Sequence, residues 1–321
     1  MRRLILLSLL ATLASPYSNN LAAQEAAAGR FVIEGSTPLP YTPGEGNFSW
    51  WRGEALLVAE NRLYAPLIRV FDREAKEISR FWLTIPEAGR IMVLNNAIAR
   101  GPDGILAVVG RAFSTDSRGV GFLAIVSPDG QEQTIVKLYP FSPDTVTVAA
   151  DGTIWVAGNT FIDGKPQRNE DLIRRYDRSG KLIGSSVNWS SLGHPTRWPA
   201  TLSALVSSPD RVGWYSKYAQ TYIEFSLDGR EMLRLKTAHD ASEVLHAALC
   251  DDGGVFVSAI VNNHPSQNIK ARWGIYVLDR ERGEWDYIPR PGPWGRVYGC
   301  DRTRLATTTD HRNITWLKPA M

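Results

Sequence analysis

The strongest constraint on the fold is a repeating unit, which is clearest between Asp144 and Val187. It contains four short apolar runs separated by two tight turns and one longer polar loop. The turns are Asp151-Gly152 and Ser179-Gly180, and such dipeptides supply the backbone conformations that tight turns require. Short apolar runs joined in this way are typical of antiparallel strands. We therefore interpret the unit as one four-stranded antiparallel blade.

The unit recurs about every 50 residues along the chain. Its third strand is matched in segments 68–72, 122–127, 173–177, 222–226, 275–279 and 314–318. The last copy reaches the C-terminus without a turn or a final strand, which leaves an open sheet edge, and open edges promote aggregation. The β-rich run at 31–35 stands apart from the repeats and is free to fill that edge.

Repeats of this length with four strands each predict a β-propeller. The fold is then all-β, with six four-stranded antiparallel blades, and an N-terminal strand closes the ring by completing the C-terminal blade. The expected blades lie at about 47–84, 91–139, 144–187, 201–236, 243–289 and 294–318 plus 31–35, within one domain from 30 to 321. The number of blades would be five or seven if the boundaries of the first blade have been misread.

The third blade also resembles a known repeat. Residues 143–158 read PDTVTVAADGTIWVAG and residues 172–185 read LIRRYDRSGKLIGS, which is similar to the NHL repeat of six-bladed propellers. The segment after the second strand departs from that pattern and reads Val156-Ala157-Gly158-Asn159. The resemblance covers nearly the whole chain after its N-terminal segment. It implies the propeller fold and carries no catalytic residues with it.

Residues 1–23 have the features of a signal peptide. Arg2 and Arg3 precede an apolar run from Leu4 to Ala14, and small residues follow near Ala22. A membrane helix would need about 20 apolar residues, and the polar segment 17–20 interrupts the run too early. We expect an exported protein, periplasmic or secreted, with no transmembrane segment in the mature chain.

The charge of the chain bears on its partners. The net charge of +3 becomes +1 if Arg2 and Arg3 are removed, and no basic cluster stands out. Nucleic acid is therefore not an expected partner, because its binding needs a clustered basic face. We expect a monomer.

The chain has two cysteines, Cys250 and Cys300, in matched positions one repeat apart. Each is expected at the end of a blade's innermost strand, and adjacent inner strands would bring the two close together. In an exported protein such a pair tends to be oxidised. The sequence is compatible with a disulfide between them and with two buried thiols.

Strand order indicates where a functional site should lie. The tight turns all fall on one face of the ring, and the long connections fall on the other, which we call the upper face. Binding residues prefer loops held by a rigid scaffold. The upper face is expected to present Trp50, Trp51, Arg90, His194, Arg197, Trp198, His246, Trp294 and Arg296. Trp and Arg are enriched at binding hot spots, although a large aromatic also serves as core between blades.

A second resemblance suggests a metal site. Gly44-Glu45-Gly46 followed by Trp50, and Pro143-Asp144 ahead of 148–157, resemble segments of SMP-30/gluconolactonase-type propellers. In that family oxygen ligands hold a divalent cation in the channel for lactone hydrolysis. The resemblance implies Glu45, Asn95 or Asn96, and Asp144 as ligands for Ca²⁺, Zn²⁺ or Mn²⁺. Thr145 departs from the family's Gly, and the family's NDG segment is absent. Asp144 is otherwise a turn residue that caps its strand.

The leading hypothesis is an exported, non-catalytic propeller that binds a protein, a small ligand or a glycan at its upper face and needs no cofactor. The alternative is a metal-dependent lactonase-like hydrolase with its site in the central channel. A third hypothesis is a lyase acting on an uncharged ring or a polysaccharide through His246 and Arg296. As a structural histidine, His246 would instead belong to the core.

Overall fold

The computed structural model describes residues 31–39, 47–52, 54–62, 64–114, 119–193, 195, 197–237, 241–261, 272–289, 297–308 and 313–319. These residues form six antiparallel sheets of at least four strands each, which are the six predicted blades. The leader expected at 1–23 lies outside the described residues. In the part of the chain that the structure describes, no helix has the length and apolar character needed to cross a membrane.

The strands of the first three blades follow the chain in order. Blade 1 contains β2 (Asn47–Arg52), β3 (Ala55–Asn61), β4 (Pro66–Phe71) and β5 (Glu77–Trp82). Blade 2 contains β6 (Arg90–Arg100), β7 (Leu106–Phe113), β8 (Gly119–Val126) and β9 (Gln133–Lys137). Blade 3 contains β10 (Phe141–Val148), β11 (Ile154–Ile162), the short β12 (Lys165–Pro166), β13 (Asp171–Tyr176) and β14 (Leu182–Asn188), followed by a 3₁₀ helix (Trp189–Leu192).

The last three blades complete the ring. Blade 4 contains β15 (Ser203–Ser207), β16 (Arg211–Ser216), β17 (Thr221–Ser226) and β18 (Glu231–Lys236). Blade 5 contains β19 (Ala241–Leu249), β20 (Val255–Val261), β21 (Arg272–Asp279) and β22 (Glu284–Pro289). Blade 6 contains β23 (Val297–Asp301), β24 (Arg304–Thr308), β25 (Asn313–Pro319) and β1 (Phe31–Pro38). In blades 1 to 5 the first strand in chain order is innermost, and in blade 6 the innermost strand is β23. Each inner strand contacts the inner strands of both neighbouring blades.

The pairing of β1 with β25 confirms the predicted closure of the ring. The two strands run antiparallel from Phe31 opposite Pro319 to Pro38 opposite Asn313, with one irregularity after Ile33. Phe31 is 4% exposed and packs in the core cluster between blades 5 and 6. Trp316 Nε1 donates a hydrogen bond to Thr37 Oγ1 at 3.0 Å. Both termini therefore contribute strands to the last blade.

Large aromatic side chains fill the space between blades. Trp51 of blade 1 lies edge-on to Trp316 of blade 6, with ring centroids 4.8 Å apart. Trp155 of blade 3 packs on Phe225 of blade 4 at 5.5 Å. Because neighbouring blades diverge outward from the axis, bulky side chains fit the widening gap better than small ones.

The tight turns lie together on the lower face. In the turn from β10 to β11, Gly152 has a φ of +82°, which favours glycine, and the Asp151 carboxylate accepts a hydrogen bond from the Thr153 amide at 2.9 Å. The connections from second to third strands and between blades lie on the upper face. This arrangement follows from the sheet order.

A disulfide joins Cys250 and Cys300, with their Cα atoms 5.2 Å apart. Cys250 directly follows the inner strand of blade 5, and Cys300 lies on the inner strand of blade 6. The bond therefore links the closing blade to its neighbour near the axis, on the lower face.

Phe31→Ala is expected to lower the free energy of unfolding by about 3 kcal/mol, because it empties a buried aromatic site on the closing strand. Val32→Ala is the matched control, since Val32 is 54% exposed on the same strand, and it should change stability by about 0.5 kcal/mol or less. Urea denaturation measures both. Equal effects of the two substitutions would show that β1 is not packed on the ring.

Replacing both cysteines with alanine should lower the free energy of unfolding by about 4 kcal/mol, because the disulfide closes a loop across a sequence separation of 50 residues. The wild-type protein unfolded in excess reductant should approach the double variant. A denaturation midpoint unchanged by either treatment would contradict the prediction.

Candidate functional site

The upper face has a cavity of about 390 Å³ between blades 2 and 3. Its walls come from the upper ends of β7, β8, β10 and β11 and from the connection that leads into blade 4. The lining residues are Arg111, Phe113, Gly119, Gly121, Tyr139, Pro140, Phe141, Ser142, Phe161, Gly164 and Trp198. A volume of this size suits a single ring-sized ligand.

The pairing of β7 with β8 positions one wall of the cavity. Arg111 lies opposite Gly121, and Phe113 lies opposite Gly119. Residues two apart on a strand share a face, so these four face blade 3. A Cβ on Gly121 would collide with the carbonyl oxygen of Phe141. Glycine therefore allows the two blades to approach closely here.

Aromatic side chains form the opposite wall and the rim. Trp198 is 47% exposed and Tyr139 is 68% exposed. The Trp198 ring lies edge-on to Phe161, with centroids 5.0 Å apart. Exposed aromatics of this size beside a concave surface are characteristic of ligand sites, because their faces bury well against a ring.

Asp144 lies on β10, behind the cavity. It is the extra residue of a β-bulge between Pro143 and Thr145, and bulges redirect side chains beside functional sites. Asn159 Nδ2 donates a hydrogen bond to Asp144 Oδ2 at 3.1 Å. Burial raises the pKa of Asp144 to about 6, although the positive charge of Arg111 and the Asn159 hydrogen bond act to lower it.

A second bulge brings an amide toward the axis. Between Val93 and Ile98, β6 contains four residues that have no partner on β7. Asn96 lies within this bulge, is 7% exposed, and its Nδ2 donates a hydrogen bond to the carbonyl oxygen of Ser203 at 3.4 Å. The bulge thus reaches from blade 2 past blade 3 to the inner strand of blade 4.

The structure places the predicted upper-face residues in different environments. Trp198 lines the cavity, Arg197 Nη1 donates to Tyr218 Oη at 3.0 Å, and Arg90 is exposed at the start of β6. Trp51 is 1% exposed and packs between blades, so it is a core residue and not an upper-face contact. His246 is 2% exposed, with its ring centroid 6.3 Å from that of Tyr298. His194, Trp294, Arg296 and the side chain of Trp50 lie outside the described residues.

The proposed metal ligands are partly described. Asp144 and Asn96 lie at bulges on adjacent inner strands, whereas Glu45 and the side chain of Asn95 lie outside the described residues. No group of three or more His, Cys, Asp or Glu side chains that could hold a metal ion occurs within the described part of the chain. The described residues do not assemble the implied ligand set, so we derive no catalytic step through a cation, and the metal remains a prediction.

The sequence patterns do not identify most of the residues that line the cavity. Arg111, Phe113, Tyr139 and Phe161 were not among the predicted residues. One available signal was the alternation of Arg111 and Phe113 at the end of a predicted second strand, next to a long upper connection. Asn159 is also absent from the predicted set, because its role depends on the bulge that turns Asp144 toward it.

A smaller cavity of about 190 Å³ lies on the other side of the β7–β8 hairpin. Its walls include Ile85, Ala112, Val120 and Ile135. The charged residues at its edge, Glu87 and Lys137, are exposed and lie 3.9 Å apart. Phe113 and Phe122 also line this cavity, but it contains no arginine, tyrosine or tryptophan among its lining residues, unlike the cavity between blades 2 and 3.

Comparison with known proteins supports the fold. No family model matches the chain, and no curated protein matches it. Virginiamycin B lyase from Staphylococcus aureus shares 11% identity and a TM-score of 0.50, over 90% of this chain and 99% of that one. A protein from Bacteroides fragilis described as a candidate exported protein shares 10% identity and a TM-score of 0.54, over 89% and 94% of the two chains.

A GH74 xyloglucanase from Xanthomonas campestris gives 15% identity and a TM-score of 0.53, over 86% of this chain and 43% of that one. At such low identities these similarities show the fold alone. The chain is therefore a six-bladed β-propeller. The NHL-type assignment is not confirmed by any family model and stays a prediction, as does the weaker SMP-30/gluconolactonase resemblance.

Asp144→Asn should stabilise the protein increasingly as the pH rises. The pKa of Asp144 is about 6 in the folded protein, against an ordinary value of 3.8. Between these two pH values the folded protein keeps the proton on Asp144, whereas the unfolded chain has released it. Its stabilising contribution is therefore lost as the pH rises through that window. The variant's advantage over wild type should grow by about 2 kcal/mol from about pH 4 to about pH 7.

Urea denaturation at both pH values measures the difference. Asp177→Asn is an informative comparison, because hydrogen bonds from Ser179 and from the Lys181 amide lower the pKa of Asp177. The stabilisation that this substitution removes is lost only as the pH falls below about 4, so the effect of Asp177→Asn should change little between pH 4 and pH 7. A pH-independent effect at Asp144 would contradict the environment described for its carboxyl group.

Proposed function

We propose that this protein is an exported propeller that binds a small ring-shaped ligand, of the carbohydrate type, in the cavity between blades 2 and 3. The observation that carries the proposal is the exposure of Trp198 and Tyr139 at the edge of a 390 Å³ cavity. The cavity lies on the face where the long connections of the propeller meet.

The exposure of these two aromatics is informative because both line one cavity, whereas Tyr64 and Trp82 are exposed but do not line it. Trp51, Trp155 and Trp214 are each 1% exposed or less and serve as core. Aromatic surfaces exposed together at the edge of a concave site form an apolar patch that a ligand can cover. A sugar ring presents an apolar face to such a surface and hydroxyl groups to neighbouring polar atoms. A propeller named as a xyloglucanase shares the fold, which is consistent with a saccharide ligand.

Three observations support export. The N-terminal 23 residues have the features of a signal peptide. The Cys250–Cys300 disulfide suits an oxidising compartment, since such bonds are rare in reducing ones. One protein of similar fold is also described as a candidate exported protein.

Binding is tested by screening the purified protein on a glycan array and titrating the hits by calorimetry. Trp198→Ala and Tyr139→Ala should each weaken binding about tenfold or more, as loss of a hot-spot aromatic does. Trp82→Ala is the matched control, because Trp82 is 50% exposed on the outer strand of blade 1, away from the cavity. It should leave binding unchanged.

Equal affinities for wild type, Trp198→Ala and Tyr139→Ala would place the binding site elsewhere. The lactonase alternative is separated in the same preparation by adding Ca²⁺, Zn²⁺ or Mn²⁺. A cation-induced rise in thermal stability together with lactone turnover would favour that alternative over simple binding.

A further inference from the structure

Arg111 has an unusual position in the cavity. It is partly buried and lines the cavity from the end of β7. Its Nε atom is inaccessible to solvent and has no hydrogen-bond partner among the described residues. The Nε atom itself is out of reach of a ligand, but the side chain lines the cavity and makes no hydrogen bond or ion pair with another described side chain. A ligand in the cavity can therefore supply acceptors to the accessible part of the guanidinium group.

The nearest acidic group does not neutralise Arg111 by a direct contact. Arg111 and Asp144 attract each other electrostatically, but the structure contains no ion pair between them. Asp144 Oδ2 instead accepts from Asn159. Many other arginines in the described chain have carboxylate partners, among them Arg69, Arg73, Arg211, Arg280 and Arg304. Arg111 therefore remains available to an anion that enters the cavity.

The chemistry of the surroundings limits that anion. Guanidinium groups bind planar carboxylates through two parallel hydrogen bonds. Asp144 already places a carboxyl group close to Arg111, and its charge disfavours a doubly charged phosphate more than a singly charged carboxylate. The aromatic rim adds surface for a ring. A ligand with one carboxylate on an otherwise uncharged ring fits these conditions.

We propose that the ligand is an acidic sugar of the hexuronate type, whose carboxylate accepts hydrogen bonds from the Arg111 guanidinium while its ring packs against Trp198 and Tyr139. This inference rests on the proposed function, and it specifies which saccharides the cavity selects. Arg111 then determines the preference for acidic over neutral sugars, and the aromatic residues contribute to the binding of both.

The test uses four probes and calorimetry on the full-length protein: galacturonate, its uncharged methyl ester, galactose and galactose 6-phosphate. Wild type should bind galacturonate about tenfold or more tightly than the ester, since charge-assisted hydrogen bonds contribute about that much. Arg111→Gln should remove this preference and retain the weaker affinity for the neutral sugars. Arg62→Gln is the control, because Arg62 lies at the upper end of blade 1 and is paired with Glu60.

Each result leads to a distinct conclusion. Equal binding of acid and ester by wild type, with Trp198 still required, overturns the acidic-sugar assignment and leaves the proposed function standing. Tighter binding of the 6-phosphate than of galacturonate overturns the choice of carboxylate. No binding of any probe overturns the assignment and also counts against the carbohydrate function. Thermal unfolding of Arg111→Gln checks that its fold is retained.

Discussion

The pairing of β1 with β25 is the interaction on which the rest of the molecule depends. Without it, β25 would be an unpaired edge, and the core around Phe31 and Trp316 would be open to solvent. A closed ring holds the blades in constant relation to one another. The upper-face cavity is built from connections of different blades, so its geometry depends on that closure.

Lateral contacts between blades reinforce the ring on the lower side. Glu224 of blade 4 accepts hydrogen bonds from Arg280 of blade 5 at 3.0 Å and from Tyr222 at 2.7 Å. Burial acts to raise the pKa of Glu224, but these hydrogen bonds outweigh it and hold the pKa below its usual range. Asp301 of blade 6 pairs with Arg73 of blade 1 at 2.6 Å. A buried charge of this kind tolerates few other arrangements, so it favours one relative placement of neighbouring blades.

The upper face has a different organisation. There the inner strands depart from regular pairing, and the bulges at Asp144 and Asn96 turn polar side chains toward other blades. Arg111, Tyr139 and Trp198 reach the same cavity from three separate segments of the chain. Regular strands thus provide the rigid frame, and irregular backbone provides the chemistry of the candidate site.

Repeat length, alternation of apolar residues and turn dipeptides determined the blade architecture, the closing strand and the face that carries the long connections, because all of these depend on local sequence. Trp198 was predicted on that face for the same reason. Which side chains share a cavity was decided by tertiary structure alone. Arg111 and Tyr139 are 28 positions apart and meet through the packing of two blades, and a bulge adds a residue that no alternation reveals. Trp51 and Trp198 are the same residue type, and only the position of each relative to the neighbouring blade makes one a core residue and the other a candidate ligand contact.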